Sequence, residues 1–359
     1  MKILYVLDKP NLYGSERHVQ KLMDAFKGDH FVNLLAFQPG PLLQEVSINK
    51  ETIPFGWYDL VNPSMWLKLA RFVRSNQFNL IHAHQPKAIF IMSILGWFLN
   101  IKTVITIHSL PISNAQSHKN PVLSTFVFAG HYLLKSIAEL FATRIIYLSQ
   151  FSSKTSFFKS KVLVIPNWIN QGVDLGNCKS LVLGEKIKFV TVGTVSHNKG
   201  FDRLLNVLSN WPNTNWELQV VGGVDPNFTD ELDHLLANFK QKGQIFFQGF
   251  QHDVSAFLQA ADIFILLSRA ETFGLVFIEA MSYGLPIITW DIPVVHEILP
   301  AGNLIITSSS DYNSLLNNFL NSPKMLGELS ERNLKFVHDN FLATPILATY
   351  QQLYNQSVK

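Results

Sequence analysis

Glu271 and Glu279 stand eight positions apart in ETFGLVFIEAMSYGLPII, where a glycine, an expected helix start and two carboxylates meet in an otherwise apolar stretch. That combination is what a nucleotide-sugar site requires. Gly274 can bring backbone close to a phosphate, and the N–H groups of Phe273, Gly274 and Leu275 would open a helix whose dipole favours an anion there. Glu279 falls just over one turn into that helix. Its neighbours Val276, Phe277, Ile278, Ala280 and Met281 are apolar, so its charge is costly to bury unless hydroxyl or amide donors meet it. The ribose of a bound nucleotide supplies such hydroxyls. A buried helix whose glutamate caps other backbone fits the same spacing, and spacing alone leaves both readings open.

A second candidate lies upstream. In VTVGTVSHNKGFDRLL, Gly193 closes an expected strand, and Lys199 and Gly200 immediately precede an expected helix. A lysine leaving such a turn can reach a diphosphate as a point charge; a solvated surface lysine fits the pattern too. Near the N-terminus, Leu12-Tyr13-Gly14-Ser15-Glu16-Arg17 follows the first strand and opens the first helix, offering backbone N–H groups to an anion. A plain turn capped by Ser15 is the alternative.

Histidines complete the set. His108 ends the strand VITIH. His82 and His84 in LIHAHQP lie two apart, so a regular strand points both the same way, and only an irregular strand end lets one alone reach a ligand. His84, nearer the end, is the candidate. His82 reads as a satisfied structural histidine, as do His18, His131, His252 and His296. No carboxylate pattern or i,i+4 pair supports a histidine metal site, so no metal is expected.

These residues need a scaffold that brings them together. At 359 residues the chain exceeds what one core usually serves, which implies two domains. Hydrophobic residues make up 47% and charged residues only 15%, a balance that suits sheets covered on both faces and excludes disorder. A net charge of +3, without a Lys/Arg block, does not indicate a nucleic-acid binder. The only cysteine, Cys178, permits neither an intrachain disulfide nor a thiolate metal site, and a reducing compartment fits. The run MKILYVLDKP is too short for a signal-peptide core and reads as a strand, so a cytoplasmic location is expected. The longest apolar run, 88–99, is too short to span a bilayer and reads as a buried helix.

Strands are expected at 2–7, 31–36, 79–83, 103–107 and 144–149, alternating with helices at 16–26, 64–75, 86–99 and 121–142. A second series has strands at 187–193, 216–221, 244–248, 262–267, 286–289 and 302–306, with helices at 201–208, 230–240, 254–260 and 275–283. Such alternation argues for parallel βαβ units, repeated. Between the series, 165–185 carries Pro166, Gly172, Gly176 and Gly184 without helical period and reads as a hinge. The expected domains are 1–170 and 171–340, with a C-terminal helix at 341–359 packing back on the first. The tail 312–354 is helical by pattern, with Pro323 and Pro345 as breaks. Doubly wound domains bind ligands at the carboxyl ends of their strands, where every motif above falls, and two of them facing each other would meet at one cleft.

GTVSHNKGFDRLL, followed about seventy residues later by ETFGLVFIEAMSYGLPII, resembles the second domain of retaining GT-B glycosyltransferases of the family-four group, also called glycosyl transferases group 1. LQVVGG, QGFQHDVSAFLQAADIFILLS, LYGSERHV, LIHAHQP, VITIHS and VIPN agree in order, and the match spans nearly the whole chain. The resemblance implies that Glu279 binds the nucleotide ribose, Glu271 lies nearest the donor sugar's hydroxyls, and Lys199 contacts the diphosphate. Gly274, Phe273 and Leu275 would line the pyrophosphate, with Thr194, Gly14 and Arg17 also on the donor. Ser268 and Thr272 would form pocket wall. His108 falls where the family carries an active-site histidine near donor sugar and acceptor, with His84 beside it.

Two departures bear on activity. Tyr13 takes the place of the first of two glycines in the family's first loop. Where relatives commonly carry an arginine after the strand-end glycine, this chain reads Thr194-Val195-Ser196-His197, so neutralising the leaving diphosphate would depend more on Lys199, Arg17 or another basic residue such as Arg269. Trp168 also replaces a frequent glycine after Pro166-Asn167, without a physical account.

The implied activity is retaining, hexosyltransferase-type transfer from a nucleoside-diphosphate sugar to a glycan, lipid-linked or small-molecule acceptor, as in cell-envelope polysaccharide synthesis. In retaining members of this fold a phosphate oxygen takes the acceptor's proton, so neither a side-chain base nor a cofactor or metal is expected. A catalytically silent nucleotide-sugar-binding subunit is the alternative, with a nucleotide-sugar epimerase behind it. The segment 118–144, with Phe126, Phe128, Tyr132 and Leu133 among Lys119, Lys135 and Arg144, could rest on a membrane surface or pack on its own sheet.

Overall fold

The computed structural model describes residues 1–110, 121–169, 185–241, 244–308 and 311–358. The hinge glycines Gly172, Gly176 and Gly184, with Cys178, lie outside the described residues, as do His118 and Lys119 and nearly all of loop 110–121. The chain divides into two compact units, one of Met1–Asn167 with Thr344–Lys359, the other of Trp168–Ala343.

The first unit is built on seven parallel strands: β1 (Lys2–Leu7), β2 (Phe31–Ala36), β3 (Asn49–Thr52), β4 (Leu80–His84), β5 (Lys102–Ile107), β6 (Arg144–Tyr147) and β7 (Val162–Val164), in spatial order β3-β2-β1-β4-β5-β6-β7. The second holds six, β8 (Ile187–Val192), β9 (Trp216–Val221), β10 (Ile245–Gly249), β11 (Ile263–Leu266), β12 (Ile287–Trp290) and β13 (Leu304–Ile306), in order β10-β9-β8-β11-β12-β13. Runs such as KILYVL and IFIL are apolar at successive positions because both sheet faces are covered: β11 is buried throughout and β1 from Ile3 onward. In each unit the chain winds outward over three strands and then returns beside the first. The order therefore reverses between β1 and β4, and between β8 and β11, the positions where such sheets place ligands.

Two strands escape the apolar-run criterion. The edge strand β3 reads NKET and is mostly exposed, because an edge is kept soluble by charged side chains. At the opposite edge, β7 has only three residues. The tail forms helices Tyr312–Leu320, Pro323–Asn340 and Ala343–Val358. Pro323 opens its helix, but Pro345 breaks nothing. It sits in the first turn of Ala343–Val358, where the missing N–H would have had no partner, and the break falls at 341–342 instead.

The apolar run 88–99 forms the helix Pro86–Leu99, buried over most of its length. It packs against the helix Pro121–Phe141. On the latter, Phe126, Phe128 and Leu133 are exposed. Lys135, counted in the sequence among residues facing a membrane, is instead buried: its Nζ lies 3.0 Å from Glu139 Oε1 and donates to Thr155 O at 3.0 Å. Burial lowers its pKa and the Glu139 charge opposes that. Among the described residues no helix is long and apolar enough to cross a membrane.

Candidate functional site

Two clusters form where the strand order reverses. In the second unit, β8 ends at Val192 and is followed by Gly193, whose φ of +137° takes the chain sharply out of the sheet. The turn runs to Gly200, at φ +67°, which opens the helix Phe201–Asn210. A Cβ on Gly200 would sit 1.8 Å from Leu267 O, so only glycine lets this turn press against the end of β11. That approach sets Lys199 beside the β11 loop. Its stem passes over Gly193, where a Cβ would lie 3.7 Å from Lys199 Cε.

Lys199 Nζ lies 2.6 Å from Glu271 Oε1, and the buried Ser268 Oγ donates to the same oxygen at 2.8 Å. An ammonium has three donors, so this contact leaves capacity for further acceptors. Thr194 is exposed on the same turn, while Thr272 and Phe273 are buried. Phe273 packs edge-on to Phe341, with ring centroids 5.7 Å apart.

Gly274 has φ +77° and is the N-cap of Leu275–Met281. A Cβ there would meet Phe277 Cδ2 at 2.6 Å, and Phe277 is fully buried. The helix has only seven residues, so its dipole is shorter than the sequence suggested, and an anion here would rely mainly on the local N–H groups. Glu279 is half-buried on this helix.

Arg269, a candidate for the missing cation, is held by an acid of its own unit. Its guanidinium grips Asp202 with Nη1–Oδ1 at 2.7 Å and Nη2–Oδ2 at 2.6 Å, and also donates to His197 O. Burial would raise Asp202, but Arg269's hydrogen bonds and charge outweigh it and hold the carboxyl below its usual range. Arg17, in the first unit, is likewise engaged by Glu45 Oε2 at 2.6 Å and Gln20 Oε1 at 2.7 Å. Of Lys199 and Arg269, the two candidate cations of the second unit, Lys199 is the one that pairs with Glu271.

In the first unit, the helix Gly14–Phe26 begins without a side-chain cap. Ser15 Oγ donates to Glu16 Oε2 at 2.7 Å instead of capping. Glu16 is buried at this first turn, where burial raises its pKa, and accepts Gln85 Nε2 at 2.7 Å. Gln85 in turn accepts the N–H groups of Asp8 and Lys9, both at 2.8 Å. A protein carboxylate therefore already occupies part of the positive end where an external anion was expected. Gly14 is open: a Cβ there would meet nothing within 4 Å.

His82 is a satisfied core histidine, with Nδ1 2.7 Å from Tyr354 Oη and Nε2 2.8 Å from Thr106 Oγ1. β4 stays regular to its end, so His84 points the same way, its ring 4.1 Å from that of His82, and it is fully buried. His84 Nδ1 lies 2.9 Å from Nε2 of His108, which is half-buried just beyond β5. His18, read from sequence as structural, joins them: its ring is 4.9 Å from that of His108, with Nδ1 2.7 Å from Asn167 Oδ1 and Nε2 3.3 Å from Tyr350 Oη. Burial first, then neighbouring imidazoles, push His82, His84 and His108 well below the usual value. Burial pushes His18 down to about 3, against the Asn167 hydrogen bond. All four rings are neutral near pH 7. Separations of 66 and 24 positions, with no local pattern, hid this assembly from the sequence.

The family pattern described as "Glycosyltransferase Family 4" matches residues 13–172, and that described as "Glycosyl transferases group 1" matches 178–336. The chain is 22% identical over 289 residues to the O-antigen biosynthesis glycosyltransferase WclY of Escherichia coli, covering 78% of this chain and 79% of that one. It is 22% identical to the capsular polysaccharide biosynthesis glycosyltransferase CapH of Staphylococcus aureus, covering 83% of each. Among solved structures, Anabaena Alr3699/HepE, crystallised with UDP and glucose, superposes with a TM-score of 0.81 at 18% identity over 99% of this chain and 100% of that one.

Proposed function

From a chain that belongs to the GT-B glycosyltransferases of group 1 and family 4, we propose retaining transfer of a hexose from a nucleoside-diphosphate sugar to an acceptor in cell-envelope polysaccharide synthesis. The observation that carries this reading is the Lys199–Glu271–Ser268 cluster beside the Gly274 turn, at the switch point of the second sheet. Glu279 would hold the ribose, Glu271 the sugar hydroxyls, and Lys199 the diphosphate. As charge develops on the leaving diphosphate, the Lys199 donors not used by Glu271 and the N–H groups at Gly274 would stabilise it. The acceptor's proton would pass to a phosphate oxygen, so the scheme needs no side-chain base and no metal. His108 would serve the acceptor side. The relatives' O-antigen and capsular names, and the UDP and glucose bound by the Anabaena protein, support a glycan product and make uridine diphosphate sugars the first donors to try.

A thermal-shift screen of nucleotide sugars tests donor binding, since a ligand of the folded state raises the melting point by mass action. Transfer to a glycan acceptor by the stabilising donor is expected to follow. Absence of both shift and transfer across uridine, guanosine and adenosine diphosphate sugars would overturn the reading. Binding without transfer would favour a silent subunit, a second reading supported by Thr194 and by the engagement of Arg269 with Asp202. The cytoplasmic location belongs to the proposal, as does a peripheral membrane contact through the exposed Phe126 and Leu133; vesicle sedimentation without bound protein would remove that contact.

A further inference from the structure

We propose that His84 is a positioning residue for His108: it donates its Nδ1–H to Nε2 of His108 and so fixes His108 as the Nδ1–H tautomer, whose outer nitrogen is a hydrogen-bond donor and not a base. That N–H would meet an oxygen of the donor sugar or of the acceptor. The role of His108 toward substrate rests on the transfer reading above, while its tautomer follows from the geometry of the first unit alone.

Two neutral imidazoles joined nitrogen to nitrogen must divide the bond between one donor and one acceptor. His84 Nδ1 and His108 Nε2 stand 2.9 Å apart, so one proton lies between them. The other nitrogen of each ring decides which of the two supplies it. His84 is completely buried, and its Nε2 has no hydrogen-bond partner among the described residues. Were His108 the donor, His84 would carry its only N–H on that Nε2, sealed away from any acceptor. With the proton on Nδ1, the N–H has its acceptor and only a lone pair is left unmet. The scarcity of orphaned N–H groups in protein interiors marks this as the smaller loss.

The neighbouring rings cannot relieve His84 in any other way. His82 packs against it, but Tyr354 and Thr106 take both nitrogens of His82. Both nitrogens of His18 are taken as well, by Asn167 and Tyr350. On His108 the situation is the reverse. Its Nδ1 makes no hydrogen bond among the described residues, yet it is not one of the polar atoms shut off from solvent, so it is the nitrogen of this pair that a ligand can reach. A neutral imidazole that presents N–H can stabilise a ligand oxygen but cannot take a hydroxyl proton at that atom. This agrees with a transfer in which a phosphate oxygen, and no side chain, accepts the proton.

The test reads the rings directly. In full-length protein carrying isotope-labelled histidine, long-range proton–nitrogen correlation spectra separate protonated from bare ring nitrogens, and loss of one set of signals in His108→Gln identifies His108. A protonated Nδ1 and a bare Nε2 on His108 are expected; the opposite pattern would overturn the proposal, whether or not any sugar is transferred. His84→Leu should release His108 into a mixture of tautomers and lower transfer at saturating donor about tenfold, the bias that a single hydrogen bond can hold, with donor affinity unchanged. His84→Asn, whose amide N–H can stand in for Nδ1–H, should restore the single tautomer and most of the transfer. A His108 that remains wholly Nδ1–H in folded His84→Leu, or equal transfer by the Leu and Asn variants, would remove His84 from this role. Should His84→Leu fail to fold by circular dichroism, the spectrum of the parent protein decides. A parent that transfers no sugar would count against the transfer reading and leave the spectra to judge the tautomer.

Discussion

Lys199 and Glu271, 72 positions apart in sequence, meet at 2.6 Å because Gly200 lets the turn after β8 lie against the end of β11. The pair is partly exposed, so its worth to stability is small. Its interest is chemical. The carboxylate holds the ammonium in place, and Ser268 holds the carboxylate.

Lys199→Met should therefore lower transfer much more than it lowers the melting point. Removing one preorganised donor to a developing anion typically costs about 100- to 1,000-fold in rate. Glu271→Gln keeps shape but loses the charge that fixes Lys199, and a loss of comparable order is expected with little change in fold. Steady-state kinetics at saturating donor would check both; a Lys199→Met enzyme within twofold of the parent would remove the lysine from the mechanism.

Gly274→Ala should destabilise the second unit. The residue must adopt φ +77°, and its new methyl would meet the fully buried Phe277 ring at 2.6 Å. Strain of this kind costs on the order of 1–3 kcal/mol. Gly14→Ala is the contrast, because Gly14 lies in a helical first turn with open space around it. There the change should be neutral or stabilising by about 0.4–1 kcal/mol. Chemical denaturation of both variants would show whether the two glycines differ in this way.

The Asp202–Arg269 pair predicts an acid-dependent term. Asp202 titrates lower in the folded than in the unfolded chain, where an aspartate titrates near pH 3.9 by ordinary values. The folded state thus binds fewer protons in that range, and the stabilisation is present above about pH 4 and lost as pH falls below it. Asp202→Asn should cost about 1 kcal/mol or less near pH 7, because the pair is partly exposed. It should also flatten the acid limb of stability against pH; an unchanged limb would show that the pair contributes nothing.

Strands of the interior were legible because runs such as KILYVL and IFIL are buried on both faces, and the Gly193 and Gly274 turns were legible because their φ values demand glycine. β3 was not, since an edge strand carries NKET for solubility. Within the candidate site, the sequence supplied the residue types but not their pairing. Arg269 offered a spare cation in sequence, yet Asp202, 67 positions away, pairs with both of its terminal nitrogens. His18 looked ordinary because the partners that make it notable lie on β4 and just beyond β5. Long-range pairing leaves no local period to read.

Glu279→Ala separates donor binding from folding. The residue is half-buried on a seven-residue helix, one turn beyond the Gly274 cap, with Phe277, Ile278, Ala280 and Met281 buried around it. Alanine favours helix and leaves those apolar contacts in place, so the melting point of the free protein should move by only a few degrees. A carboxylate that accepts two ribose hydroxyls, by contrast, contributes charge-assisted hydrogen bonds of about 1.5–3 kcal/mol each, and their loss should weaken donor binding by at least tenfold. Calorimetric titration with the stabilising nucleotide sugar would measure this. Glu279→Gln should recover part of the affinity, since an amide oxygen still accepts one hydroxyl. Equal affinity in parent and Glu279→Ala would take the ribose away from this residue and leave Lys199 and Glu271 without a nucleotide anchor on the neighbouring helix.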